Sequence, residues 1–576
     1  MADYVPPLKD MQFILQEVLG AEKNWQQLGL DVTLEDAGAI LEEAGKQVSQ
    51  SWSPLNRSGD EQGCHHQGTA VTTPNGFKAA YKDWAEAGWI GLIGKPEYGG
   101  MGMPKMLSAL IEEMIHGGNT SLALYPLLSA GAALLLASHA SEAQKQQYLP
   151  LLYSGEWSGT MCLTEPHCGS DLGIMKTKAE PDGDTYRLTG TKIFITGGEH
   201  DLTDNIIHLV LAKLPDAPAG TRGISLFIVP KVLANGERNQ VFCGSIEHKM
   251  GIKGSATCVM NFDGAEGYLV GEPHQGLKYM FTMMNYERVS IGLQGLGLAE
   301  RANQIALDYA SERLQGRNPA AASQPNKPAD PIVELPDVRR MLLDVQAFVE
   351  SGRAMAAWAG QWLDIASFST DDEQKAKANG YVALITPVVK AWLTDRGFDA
   401  CVTAQQVLGG HGYVAEWEVE QLVRDARIAQ IYEGTNGIQA LDLLGRKVVA
   451  NQGKWLQTWL ADARVIAAGV DGERLRHTLK LVEQAADFVL QSQRDQAVLV
   501  NAVAVDFLRL VGLAMAGEMW LRMRHAANSD SELHHHKRQL SNYFERRWLV
   551  EDDAIFARIM AGHCVITDCD PRTTPR

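Results

Sequence analysis

The sequence predicts a mostly α-helical chain that encloses one small antiparallel β-domain and carries an appended helical domain behind it. Three observations support that class. Apolar residues recur at three- and four-residue spacing through the first quarter and again past Gly276. Between about Gly159 and Gly276 the texture changes to short, β-branched, alternating segments separated by Gly, Asp and Pro. The 576 residues also exceed a single core, and at about 100–200 residues per domain they fill three or four. The boundaries that follow are 1–158 for an N-terminal helical domain, 159–275 for the β-domain, 276–450 for a helical bundle and 451–576 for the appended helical domain.

Residues 1–50 place Met11, Ile14, Leu15 and Val18, then Leu34, Ala37, Leu41 and Val48, at helical spacing, which predicts two helices. Ser51 to Gly76 is rich in Gly, Pro, Ser and Thr and reads as a loop. From Phe77 helical patterning resumes, with Met106, Leu110, Ile111 and Met114 in one stripe, interrupted by the turn Lys95-Pro96-Glu97-Tyr98-Gly99-Gly100. Ser121–Ser138 approaches the apolar length of a membrane span, but Pro126, its serines and its polar flanks mark a buried helix. The expected strands are Tyr186–Thr196, Ile206–Leu214, Gly223–Lys231 and Thr257–Phe262. In the bundle, Met341, Val345, Phe348, Gly352 and Met355 form a helix seam. Arg317–Pro336 carries prolines at 319, 325, 328, 331 and 336 and is an exposed excursion without helix. Gly292, Gly295 and Gly297 lie inside a helical pattern and follow no strand, so they read as close helix packing and not as a phosphate loop. Ser492 to Arg524 and its flanks read as amphipathic helices, a packing or assembly module.

Lys and Arg number 52 against 69 Asp and Glu, a net charge of −17 that disfavours nucleic acid as a partner. The first ten residues lack the features of a signal or transit peptide, so a cytoplasmic location is expected, with no integral membrane segment. Eight cysteines without a CxxC pair read as reduced thiols. Cys64-His65-His66, the His563/Cys564/Cys569 group and His534-His535-His536 lack zinc-site spacing, and no metal is expected.

The most informative run is Arg424 to Gln439. Glu433 is followed at once by Gly434, so a carboxylate sits where the chain must break direction, and Thr435 can cap a helix carrying Ile438, Leu441, Gly445 and Val448. A carboxylate beside backbone donors is the raw material for proton abstraction next to a carbonyl. A bare Glu-Gly-Thr is more often a solvated turn, so the context decides.

That context is a set of ordered motifs. Gly88-Trp89-Ile90-Gly91-Leu92 with Pro96-Glu97-Tyr98-Gly99-Gly100, Met161 to Asp171 (MCLTEPHCGSD), Lys192-Ile193-Phe194-Ile195-Thr196, Gln406 to Gly412 (QVLGGHG) and the Arg-Asp-Ala-Arg…Tyr-Glu-Gly-Thr run together resemble the acyl-CoA dehydrogenase family over about residues 80–450. The long excursion and the C-terminal extension resemble its extended subgroup, which includes 3-methylmercaptopropionyl-CoA dehydrogenases of dimethylsulfoniopropionate degradation and bacterial fatty acyl-CoA enzymes. The resemblance implies FAD-dependent α,β-dehydrogenation of an acyl-CoA, as in fatty-acid β-oxidation, to the trans-2-enoyl-CoA, with electrons passed to electron-transferring flavoprotein. It implies Glu433 as the base. It implies FAD contacts from Met161, Leu163, Thr164, Gly169, Ser170, Phe194, Ile195 and Thr196, from Thr435 and Gly437 near the diphosphate, and from Arg313, Gln315, Gln406 and Gly410 of a neighbouring subunit. The last four make the chain at least a homodimer, with a tetramer as the larger form. Ser170, Asn285, Arg288, Tyr432 and Gly434 match substrate-contacting positions. Three departures stand out: Phe194 where Trp is common, His167-Cys168 in place of a small Ala-bearing pair, and no Phe before Gly316.

The alternatives are an acyl-CoA oxidase, which would release peroxide without an added acceptor, and a relative that has lost dehydrogenation. Such a relative would bind DNA, seen in a salt-sensitive gel shift, or would bind acyl-CoA without flavin and purify colourless.

Overall fold

The computed structural model of the chain describes residues 4–492 and 496–573. It forms two compact units. The bundle unit holds Met1–Glu43, Pro104–Glu113 and Ile291–Arg576, and the sheet unit holds Ala44–Met103 and Met114–Ser290. The helices Lys105–His139 and Gly276–Glu312 each contribute residues to both.

In the sheet unit, β1 (His65–Gln67) and β2 (Ala70–Thr72) form an antiparallel hairpin. The main sheet has seven strands: β3 (Trp157–Cys162), β4 (Lys178–Asp182), β5 (Thr185–Thr196), β6 (Asn205–Lys213), β7 (Ile224–Pro230), β8 (Val241–Ile246) and β9 (Thr257–Leu269). Its order is β3-β6-β4-β5-β9-β7, β7 also pairs with β6, and β8 adds to β9, so the pairing path returns on itself. The expectation of a purely antiparallel domain is corrected here, because β3 and β4 pair parallel to β6. Parallel neighbours need a long crossover, which here is the segment carrying β4 and β5, and local alternation cannot reveal it.

The continuous apolar run of β6 is explained by burial on both faces. Leu209 and Leu211 pack with Leu226, Ile228 and the helical Ala132, Leu136 and Leu149, while Val210 and Ala212 pack with Phe227, Val229, Cys258 and Phe262. Ser51–Gly76 is not simply a loop: it contains the helix Leu55–Gln62 and the β1–β2 hairpin. That helix buries the small or polar Asn56, Gly59 and Asp60, so it has no apolar periodicity to read. A Cβ on Gly59 would lie 2.7 Å from the Phe77 ring. Residues 4–50 give three helices where two are expected, because Gly20 breaks the first pair with a φ of 56°.

The apolar stretch Ser121–Ser138 lies in the helix Lys105–His139, whose most apolar window is 94% buried. Among the described residues, Gln496–Ala526 is a second helix long and apolar enough to cross a membrane by length and composition. Its buried residues include Leu510, Leu513, Met515, Met519 and Met523, so within the bundle unit it is a core helix and not an amphipathic one. Residues 493–495 of the stretch expected there lie outside the described residues. The long bundle helices are Pro336–Phe368 and Asp372–Val407. Close packing of glycines is borne out where a Cβ on Gly295 would meet the Leu393 carbonyl at 2.6 Å, and one on Gly397 the Gly295 carbonyl at 2.4 Å. The excursion expected over Arg317–Pro336 holds no α-helix before Pro336, which opens the helix Pro336–Phe368, and only a 3-10 turn at Ile332–Glu334. It folds around the buried Asp330, which accepts from Arg317 Nη1 at 3.2 Å and from the amides of Asn318 and Gln324 at 2.9 Å.

Candidate active site

The helix Val419–Arg427 runs into a 3-10 turn at Ile428–Gln430. Beyond it, Glu433 and Gly434 both adopt left-handed backbone, with φ of 56° and 79°. Glycine takes that conformation freely, but a glutamate held there stores strain of about 1–3 kcal/mol, which persists only where surrounding structure imposes it. Thr435 then caps the helix Asn436–Leu441, accepting from the Ile438 amide at 3.3 Å. The buried face of this helix and of the π-turn Asp442–Val448 that continues it carries Gln439, Ala440, Leu443, Leu444 and Val448. It is rotated from the expected Ile438/Leu441/Gly445/Val448 stripe because Gln439 turns inward. Gln439 Nε2 donates to the carbonyls of Glu433 at 3.1 Å and Gly434 at 3.2 Å.

Lys390, fully buried in the helix Asp372–Val407, donates to the Gly434 carbonyl at 2.9 Å and to Asn436 Oδ1 at 2.8 Å. Asn436 Nδ2 in turn donates to Asp395 Oδ1 at 2.7 Å. A trans peptide points its C=O and N–H in opposite directions, so carbonyls drawn inward turn the Gly434 and Thr435 amides the other way. The Glu433 side chain is half-buried. The Tyr432 hydroxyl donates to the buried Gln294, so it is engaged inside the unit.

In the sheet unit, β3 runs into a loop closed by reciprocal Glu165 and Cys168 backbone bonds of 2.9 and 3.0 Å. Glu165 is the loop's buried anchor. It accepts from Lys192 Nζ at 2.9 Å and from the amides of Lys176 at 2.7 Å and Thr177 at 3.0 Å. Burial pushes the Glu165 carboxyl up, but the Lys192 ammonium and these donors outweigh it and hold it down to about 2. Burial likewise pulls the Lys192 ammonium down against the opposing pull of Glu165. The Ile193 amide donates to the Thr164 carbonyl at 2.9 Å, tying loop to strand.

Between Lys192 and Ile195 the β5–β9 register shifts, and Phe194 takes a φ of 59° and is 59% exposed as a residue. The bulge thus lifts an aromatic face out of the sheet. Gly169 and Ser170 are exposed, Met161, Leu163, Thr164 and Thr196 are half-buried, and the Ile195 side chain is buried so that only its backbone is offered. A flat apolar ring beside exposed loop amides and hydroxyls fits a planar group with polar edges, such as a flavin. Asn285 is exposed, and the buried Arg288 donates to its Oδ1 at 3.3 Å.

The structure brings together two motifs distant in sequence. Arg313 and Gln315 follow the helix Gly276–Glu312, and Gln406 and Gly410 lie where the helix Asp372–Val407 ends. Tyr309 joins these ends, its hydroxyl 2.9 Å from His411 Nδ1 and its ring edge-on to Trp417. All four residues are exposed, as are Thr435 and Gly437 at their helix start. All eight cysteines are free thiols. Among the described residues two groups of potential metal ligands occur, Glu165/His167/Cys168 and His477/Asp552/Asp553, but Lys192 already pairs with Glu165 and Arg474 with Asp552.

The chain matches the family described as "Acyl-CoA dehydrogenase, N-terminal domain" over residues 35–156, "Acyl-CoA dehydrogenase, middle domain" over 160–265 and "Acyl-CoA dehydrogenase, C-terminal domain" over 274–449. A fourth match, "Acetyl-CoA dehydrogenase C-terminal like", covers 453–570. The chain belongs to the acyl-CoA dehydrogenase family. It is 40% identical, over 96% of its length and 98% of the relative's, to the 3-methylmercaptopropionyl-CoA dehydrogenase of Ruegeria pomeroyi. It is 33% identical to the broad-specificity linear acyl-CoA dehydrogenase FadE5 of Mycobacterium tuberculosis, over 92% of this chain and 90% of that one. An acyl-CoA dehydrogenase of Bacillus anthracis solved with FAD shares the fold, with a TM-score of 0.76 at 24% identity, covering 92% of this chain and 89% of that one. Membership makes the chain an FAD-dependent oxidoreductase that dehydrogenates acyl-CoA thioesters.

Lys390, Gln439 and Asn436, which hold the Glu433 turn, stand outside the predicted site residues, and Glu165 and Lys192 lie within the motifs without an assigned role. One cue was available. Lys390 is the lone charge in the apolar run Leu384–Leu393 (LITPVVKAWL), where an unsupported ammonium would be costly.

Proposed function

We propose that Glu433 is the base that removes the α-proton of the acyl-CoA, and that the preferred acyl group is a short, unbranched chain, with 3-methylmercaptopropionyl-CoA as the leading substrate. The observation that carries the base is its left-handed turn. A strained glutamate, held by buried donors beneath it, marks a site where position matters more than local stability. The acyl chain that excludes water from the carboxylate raises its affinity for a proton just as thioester polarisation loosens that proton. The Glu433 amide is assigned to the thioester oxygen, where negative charge develops. A bound FAD would supply the acceptor for the hydride leaving the β-carbon. Met161, Leu163, Thr164, Gly169, Ser170, Phe194, Ile195 and Thr196 are assigned to hold it, with Thr435 and Gly437 toward its diphosphate. Asn285, Arg288 and Ser170 are assigned to the CoA ester, with Tyr432 and Gly434 shaping its thioester end.

Support for the acyl group comes from the full-length similarity to the Ruegeria pomeroyi enzyme. The 3-methylmercaptopropionyl group is a valeryl group with one methylene replaced by sulfur, so a pocket for either must be linear and apolar. The similarity to FadE5 supports the second reading, a broader range of linear acyl chains. The acceptor we assign is an electron-transferring flavoprotein. The assembly is a homodimer in which Arg313, Gln315, Gln406 and Gly410 serve the partner's FAD, as their shared, exposed end of the bundle suits.

Glu433→Gln should retain FAD yet lose on the order of 10²–10⁴-fold in the anaerobic bleaching of flavin by substrate, because an amide accepts no proton. Near-normal bleaching in that variant would refute the base. A panel of saturated acyl-CoAs from short to long, with 3-methylmercaptopropionyl-CoA beside valeryl-CoA, ranks the substrates. Preference for long chains over both would overturn the short-chain assignment.

A further inference from the structure

We propose that Lys390 is a positioning residue for proton abstraction: its buried ammonium, together with Gln439, holds the turn that aims the Glu433 carboxylate. The inference rests on Glu433 being the base. It begins from the cost of the arrangement, since a buried cation is retained where its hydrogens are satisfied. Two of the Lys390 donors go to the segment that follows Glu433, at 2.9 Å to the Gly434 carbonyl and 2.8 Å to Asn436 Oδ1. Gln439, also fully buried, takes the carbonyl of Glu433 itself. The two peptide planes after Cα433 are therefore captured from below, which fixes the direction in which the chain leaves Glu433 while that residue stands at a φ of 56°.

Relaxing them would let Glu433 return to the negative-φ region that L-residues prefer, and its side chain would leave its present direction. The clamp is also rigid. Asn436 donates to Asp395 at 2.7 Å, Gln430 Nε2 donates to the same Asp395 oxygen at 2.8 Å, and Arg427 donates to Gln430 at 3.0 Å. Residues on both sides of Glu433 are thereby pinned to the one helix Asp372–Val407, which carries both Lys390 and Asp395. In this reading Lys390 touches neither substrate nor FAD, and it sets how often the carboxylate stands in line with the α-proton.

The test uses full-length Lys390→Met, Lys390→Arg and Gln439→Leu enzymes purified with FAD, with butyryl-CoA as the probe. Lys390→Met should keep its flavin spectrum and its affinity for the trans-2-enoyl product, while the limiting rate of anaerobic flavin reduction falls about 10- to 100-fold. Deuterium at the α-carbon should slow that variant more than the parent, because proton removal becomes the slower event, and Lys390→Arg should recover part of the rate. An unchanged limiting rate with unchanged isotope effects would overturn the proposal. Should Lys390→Met fail to hold FAD, Gln439→Leu decides. A reduction rate lower by about fivefold or more with a raised α-isotope effect supports the clamp, and parental values overturn it. Glu433→Gln run in parallel separates the two readings. Bleaching at the parental rate there removes the base assignment, whereas its loss there with parental behaviour in the clamp variants removes this inference alone.

Discussion

Lys192 and Glu165 bury opposite charges under the loop that carries Gly169 and Ser170, their side chains 0% and 3% exposed. Removing one partner leaves the other charge stranded, a loss of about 3–5 kcal/mol. Lys192→Met should therefore lower the thermal midpoint and loosen FAD retention, checked by melting with flavin fluorescence as the probe. The pH dependence follows from the direction of the Glu165 shift. Its folded carboxyl is held to about 2 against an ordinary 4.5, so the pair stabilises the fold fully above the ordinary value. That contribution drains away as the pH falls toward 2, and loss of FAD during acid titration should fall in that window. At this scale Glu433 was legible, because separate motifs in a fixed order framed it. Lys390 and Gln439 were not, since their bonds run from a different helix and from a later turn to backbone carbonyls, and carbonyls have no letter in a sequence.

Among the helices, the crossing of Gly276–Glu312 with Asp372–Val407 is set by missing side chains. A Cβ on Gly295 would lie 2.6 Å from the Leu393 carbonyl and 2.9 Å from Thr394 Cα, both backbone atoms that cannot swing aside. Gly295→Val should destabilise the protein by about 1–3 kcal/mol through overpacking, measured by denaturant titration. An unchanged midpoint would mean that the helices part without cost. The glycine pattern was readable as packing because it sat inside apolar periodicity. Strands β5, β6, β7 and β9 were readable by alternation and β-branching. Strand β4 was not, with Pro181 and three other polar or charged residues in its span, nor β8, whose register is broken at Gly244. The parallel pairing of β3 with β6 depends on a partner more than forty residues away, beyond the reach of local pattern.

The appended domain proves to be structurally continuous with the bundle. Lys537, fully buried, pairs with Asp10 and with Glu350 at 2.6 Å, and the Trp520 indole donates to the Ala347 carbonyl at 3.1 Å. Nearby, Arg353 binds Glu113 at 2.6 Å and Glu300 at 3.0 Å and also reaches Asp10. Burial opposes the Lys537 charge, and Asp10 and Glu350 more than compensate, raising its proton affinity. Lys537→Met should cost about 3–5 kcal/mol by leaving two acids with one buried cation fewer, read as a lower melting point with the flavin still bound at low temperature. Its sequence pattern shows a packing module with no obvious chemistry, and no local pattern shows that its charges answer those of the first helix. The pairing also fixes a timetable. Asp10 leaves the ribosome 527 residues ahead of Lys537, so at ~5–20 residues per second the acid waits roughly half a minute to two minutes for its partner. For that interval the nascent bundle must be carried by other contacts or by a chaperone, and chains cut short before residue 537 would leave this charge cluster unanswered.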